Sequence, residues 1–170
     1  MKCPECGGKL TKTTKIYHYK ESGLDNVYLK DIDIYKCVDC KAEMPAIPQI
    51  ERLHGRIAAA IISKNVPLTG NEIVFIRKHM ELKAKDLAQM LNVSRVTVSR
   101  WETGAEDIGP SNDKLIRLLY VQSVQEQCHK VLEGTLLNLK AIDFKSHQRG
   151  RKIEVSAKNV EKTDMCFRPA

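Results

Sequence analysis

Apolar and polar positions follow two different periods along this chain, and the change falls near residue 49. Before it, Thr13 to Tyr19 is rich in Thr, Ile and Tyr and predicts a strand, and Glu21-Ser22-Gly23 with Asp25-Asn26 predicts a turn. Val27 to Lys36 returns as one strand or two, since the alternation slips phase around Lys30–Asp31. Met44-Pro45-Ala46-Ile47-Pro48 marks a boundary, because prolines interrupt regular structure. From Gln49 to Lys64 the apolar residues Ile50, Leu53, Ile57 and Ile61 recur at helical spacing, with small residues at Ala58–Ala60. That helix could pack within the chain or against a second copy of itself.

Thr69-Gly70-Asn71-Glu72 has the form of a capping box and opens a helix with Ile73, Phe75, Ile76 and Met80 on its core face. The next stretch, Ala84 to Thr103, reads as two short helices with a break. Leu87, Ala88 and Leu91 form one apolar face, and Ala88 is small where crossing helices must approach. Asn92 suits the left-handed turn, Ser94 caps the second helix, and Val98 and Trp101 face inward. Gly104 ends it. Pro110-Ser111 starts a further helix with Leu115, Ile116, Leu118 and Leu119 expected inside. An apolar stripe continues from Val124 through Cys128, Val131, Leu132, Leu136 and Leu137 to Leu139, interrupted by Gly134, and part of it is expected to be a dimer seam. Lys145 to Ala170 is polar and basic with a strand-like Ile153-Glu154-Val155, and is expected to be a mobile tail.

The two short helices form a helix-turn-helix. The second lies in the major groove with its N-terminal residues at base edges, so Ser94, Arg95, Val96, Thr97, Ser99 and Arg100, with Lys85 on the preceding helix, are the expected DNA contacts. Charge agrees without deciding: 28 basic and 21 acidic residues give +7, which suits a polyanionic partner. The excess lies outside the reading segment; residues 71–110 carry six of each sign, and residues 111–170 carry eleven basic and seven acidic. Neither a secretory apolar segment after Met1 nor a run long enough to span a bilayer is present, which predicts a cytosolic protein without a membrane partner.

In a reducing compartment the six cysteines stay thiols unless a metal holds them. Cys3-Pro4-Glu5-Cys6-Gly7-Gly8 is answered by Cys37-Val38-Asp39-Cys40, and two C-x-x-C pairs supply four thiolates to one tetrahedral zinc. Four sulfur ligands leave no position for a reactive water, so the single Zn2+ is expected to be structural. His18, between Tyr17 and Tyr19, reads as a strand-packing or surface residue, and exposed tyrosines there could offer a protein-binding face. Cys128 and Cys166 fit no motif. No Ser/His/Asp set, carboxylate pair beside a metal or phosphate-cradling glycine loop argues for an enzyme.

A CPxCG knuckle, a second CxxC, and then LTGNEIVFIRKHMELKAKDLAQMLNVSRVTVSRWETG resemble the MqsA/YgiT family over about residues 1–122, and the helical stretch resembles the Xre (lambda-repressor) class. The resemblance implies an N-terminal zinc domain that grips a small toxin ribonuclease and a C-terminal domain that dimerises and represses its own operon. It makes Cys3, Cys6, Cys37 and Cys40 the zinc ligands and Arg100 a base-reading arginine. Val96 stands where the best-known member has a base-reading asparagine, so a different operator is expected. Lys41 replaces a glycine frequent in relatives, and the chain runs about forty residues past the family's usual end.

The expected architecture is therefore α+β in two domains, a small β zinc ribbon followed by an all-α helix-turn-helix domain. Residues 1–44 would form the ribbon, 45–68 a linker and connecting helix, 69–125 the DNA-binding domain and 126–170 a helical extension and tail. The expected function is a dimeric repressor on an inverted-repeat operator, acting as an autoregulating antitoxin with a toxin partner. The alternative is a stand-alone regulator without one.

Overall fold

The computed structural model describes residues 1–47, 49–124 and 150–156, together with positions 139, 142 and 144. The N-terminal part is a sheet. Strands β1 (Leu10–His18) and β2 (Val27–Cys37) form an antiparallel hairpin from Leu10↔Cys37 to His18↔Tyr28. The phase slip resolves as one strand with a bulge. Asp31 takes φ 57°, and the register shifts opposite it between Lys15 and Tyr17. The extra residue lets Val27 and Leu29 before it and Ile32 and Ile34 after it face the same core. Tyr19, expected at the surface, is buried, and its hydroxyl hydrogen-bonds the His54 imidazole.

Strand β3 (Glu43–Ala46) contains Pro45, where the sequence predicted a break. It is an edge strand paired with residues 33–36 of β2, and an edge tolerates proline because an outward N–H has no partner to lose. Strand β4 (Ile153–Ser156) pairs in parallel with residues 27–30 of β2. The stretch expected to be a mobile tail thus supplies a strand, since Ile153 and Val155 bury their side chains. The remainder of that expectation, at residues 145–149 and 157–170, and the dimer seam from Cys128 to Leu137 lie outside the described residues, as do Cys128 and Cys166.

Helix α1 (Ile50–Ser63) packs within the chain and joins the two parts. Its Leu53, Ile57, Ala58, Ile61 and Ile62 are fully buried in one core that runs from Val27, Leu29 and Ile34 of the sheet to Ile73, Ile76 and Tyr120 of the helices. Ile50, expected on that face, is half exposed because it opens the helix at its outer end. The helical part is α2 (Gly70–His79), α3 (Ala84–Met90), α4 (Arg95–Thr103) and α5 (Pro110–Val124). The architecture is α+β in two parts. The predicted Thr69/Glu72 capping box is present in both directions.

Helix α5 buries Ile116 as expected and packs Leu119 partly against the core, but two of its leucines face outward. Leu115 and Leu118 are exposed, while Asp113, Ile116, Arg117, Tyr120, Val121 and Val124 point inward. The reason is polar. Arg117 Nε donates to Asp113 Oδ1 at 2.7 Å, and its other nitrogens donate to the carbonyls of Ile62, Lys64 and Val66 at 2.7–2.8 Å. Asp113 Oδ2 accepts the Leu68 amide at 2.7 Å. The guanidinium thus satisfies the carbonyls around the end of α1, where a cation also meets the negative end of the helix dipole.

A ladder of rings crosses the same core. His54 lies edge-on to Phe75, Phe75 stacks with His79, and His79 contacts Tyr120. Burial holds both imidazoles below their ordinary pKa, with His54 adding to the effect at His79. Because the unfolded chain then binds these protons more readily, the stabilisation is present above about pH 6.5 and lost as pH falls below it. The melting temperature should therefore drop between pH 7 and 5, above the carboxylate range. His54→Gln should flatten that slope, and an unchanged slope would show that the ladder does not govern it.

Candidate metal centre and nucleic-acid interface

The four predicted cysteines meet at one end of the sheet. Their Sγ atoms all lie within 4.8 Å of one another, with Cys3–Cys40 at 3.7 Å and Cys6–Cys37 at 3.4 Å. A tetrahedron with sulfurs about 2.3 Å from its centre has edges of about 3.8 Å, so the set fits one zinc-sized ion with small adjustments. Two knuckles build it. Cys3 N–H donates to the Gly8 carbonyl and Gly7 N–H to the Cys3 carbonyl, while Cys37 N–H donates to the Ala42 carbonyl. Gly7 turns the first knuckle with φ 74°, and Lys41 turns the second with φ 64°. Lys41 thus takes a left-handed conformation that glycine adopts freely, and its Nζ donates to the Val38 carbonyl at 2.6 Å. Gly8 is needed for a different reason: a Cβ there would lie 2.0 Å from Asp39 Oδ2 and 3.2 Å from Cys37 Sγ.

The crowded sulfurs shift one another's thiols in opposite directions. The Cys40 amide, with those of Asp39 and the Cys6 thiol, pulls the Cys37 thiol down to about 7 against burial. At Cys40 the Ala42 amide favours the thiolate, but the Cys6 sulfur, burial and the sulfurs of Cys37 and Cys3 outweigh it and push the thiol up to about 12. One thiolate therefore keeps its neighbours protonated, and four can coexist only around a cation. This donor set suits a soft-to-borderline divalent metal. His18 takes no part; it stacks on Tyr28 and hydrogen-bonds the Asp25 carbonyl.

At the other end, α3 and α4 form the helix-turn-helix. Asn92 holds the turn with φ 52°, and the Val93 amide donates to the Ala88 carbonyl at 3.0 Å. Ser94 Oγ accepts the Thr97 amide at 3.0 Å, and Gly104 closes the helix with φ 74°. Val98 and Trp101 are buried, and Lys85, Arg95, Val96, Ser99 and Arg100 are exposed. Ser94 is exposed too, but its side chain is committed to the cap, and Thr97 is half-buried beside it. Arg100 reaches Glu106 at 3.7 Å across open surface, a pair too exposed to hold it firmly.

Sequence reading missed what fixes this helix in place. Arg77 of α2 grips Glu102 of α4 through two bonds, Nε to Oε1 at 2.6 Å and Nη2 to Oε2 at 3.1 Å, and donates to the Leu82 carbonyl. Gly70 lets α2 start against the end of α4; a Cβ there would stand 2.5 Å from the Glu102 carbonyl and 2.6 Å from that of Trp101. The only signals available were a glycine inside a capping box and a glutamate after the tryptophan.

Residues 75–119 match the family model described as helix-turn-helix. The chain is also similar to Antitoxin MqsA of Escherichia coli (strain K12), with 30% identity over 121 residues that make up 70% of this chain and 92% of that protein. With that identity and coverage the chain belongs to the MqsA family.

Proposed function

We propose that this protein is a sequence-specific DNA-binding repressor that acts by binding and not by catalysis, and that it serves as the autoregulating antitoxin of a toxin–antitoxin pair. One observation carries the reading: α4 is clamped by Arg77–Glu102 and presents Arg95, Val96, Ser99 and Arg100 to solvent. A half-buried clamp behind an exposed, partly basic helix is what base readout in a major groove requires. One structural zinc, held by Cys3, Cys6, Cys37 and Cys40, would fix the sheet end, which in this reading binds the toxin. Because one reading helix covers few base pairs, the repressor works as a homodimer on an inverted repeat, with half-site centres about 34–36 Å or a multiple apart.

The two arginines have different roles in this reading. Arg100 reads a base, most simply as a bidentate pair with guanine, after leaving its loose contact with Glu106. Arg95, in the first turn, faces the groove wall and phosphates. Arg100→Ala should then cost about 1–3 kcal/mol at the operator and little on scrambled duplex. Arg95→Ala should weaken both duplexes more evenly. Titrations of both variants at fixed salt test this, and small equal losses on both duplexes would mean that α4 is not the reading face.

A further inference from the structure

The second edge of β2 is shared by two strands of different origin. β3 follows β2 directly and covers residues 33–36, whereas β4 returns from residue 153 to cover residues 27–30 in parallel. β4 is only four residues long, yet every part of it is specifically held. The Ile153 amide donates to the Asn26 carbonyl at 2.7 Å, and Asn26 Nδ2 donates to the Arg151 carbonyl at 2.9 Å. Arg56 of α1 donates to the Ser156 carbonyl at 2.8 Å and closes the far end. Ile153 and Val155 are buried, and between them Glu154 pairs with Lys30 of β2 and with Lys152.

We propose that the edge of β2 at Val27–Lys30, with Asn26 and Arg56 at its two ends, is a strand-addition site for an extended apolar–acidic–apolar peptide, and that β4 is the chain's own occupant, a strap that leaves when a competing segment takes its place. Backbone pairing supplies the affinity, and the two apolar positions with the central carboxylate supply the selectivity. Lys30 of β2 places a cation beside the slot, which matches Glu154 of the resident strand. The carboxyl of Glu154 is drawn down to about 2 by Lys152 and then Lys30.

Two features make the strap releasable. Only two apolar side chains anchor it, while four residues must be ordered. Its departure also leaves the neighbouring strands paired, because β1 pairs along the opposite edge of β2 from Tyr28 to Cys37 and β3 keeps residues 33–36. Asn26, which holds the start of the strap, also meets the joint between the two parts. Asn26 Nδ2 lies 3.5 Å from Glu72 Oε1, and Glu72 is the buried carboxylate of the α2 capping box.

A chain ending at Arg149 should keep its helical content, and it should bind a blocked synthetic peptide of residues 150–157 (GRKIEVSA). The full chain should bind the same peptide at least about tenfold more weakly, because its own strand competes at high effective concentration. A peptide with aspartate for both Ile153 and Val155 should not bind. In the full chain, amides of residues 153–156 should exchange at least about a hundredfold faster than those of residues 32–36, as expected for local opening. Equal peptide affinity for the two chains, no binding to the folded truncated chain, equal exchange protection, or collapse of the helical part on truncation would each overturn the proposal.

Discussion

Replacing Arg117 by methionine should destabilise the fold by about 3–5 kcal/mol, although methionine fills a similar space. The guanidinium is completely buried, and it is the common partner of Asp113 and of three carbonyls at the end of α1. Its removal strands a buried carboxylate, which among the described residues keeps the Leu68 amide alone, and leaves those carbonyls short of donors. In a chain of this size each kcal/mol corresponds to about 2–4 °C in melting temperature, so a shift of roughly 6–20 °C is expected. Adding Asp113→Ala to Arg117→Met should cost less than the sum of the two single changes, because the second removes the stranded charge. Additive losses, or a single-variant loss below about 1 kcal/mol, would mean that the network is not what holds α5 to α1.

Loss of the metal should act at the opposite end and reach a different distance. With Cys37→Ser the chain should no longer carry the one zinc expected per molecule, and the two knuckles should melt. Structural zinc supplies about 10–16 kcal/mol to isolated finger peptides, which have little core of their own. Here Val27, Leu29, Ile32 and Ile34 rest on α1, so the centre of the sheet has support that does not depend on the ion. Amide exchange should therefore quicken at residues 1–9 and 36–42, while helices α2 to α5 keep their protection. Spread of the change through α2–α5 would show that the two parts unfold together. Metal analysis that finds no zinc, with the four cysteines in disulfides, would remove the zinc reading itself.

The features legible in the sequence are those set by short-range chemistry. Two C-x-x-C pairs could be read as one site because each knuckle is a local turn, and the structure brings all four sulfurs within 4.8 Å. The Thr69/Glu72 box, the Ser94 cap, the Asn92 turn and the Gly104 stop each depend on residues within a few positions, and each forms as the spacing implied. The outward face of α4 was legible for the same reason: a helix period and one buried tryptophan determine which residues are left for solvent.

What only the tertiary structure decided involves partners far apart in the chain. Leu115 and Leu118 of α5 face outward against expectation, because no local pattern shows that Arg117 will find Ile62, Lys64 and Val66 more than fifty residues away. The Arg77–Glu102 clamp joins two helices whose separate sequences read as ordinary amphipathic faces. The helix at Ile50–Ser63 had an apolar stripe but no stated neighbour; the sheet on one side and α2 on the other supply it. A polar stretch with two isolated apolar residues looks like a tail until an open strand edge is available to pair with it. Backbone pairing carries no sequence signature, so the seating of Ile153–Ser156 on β2 could be learned only from the fold.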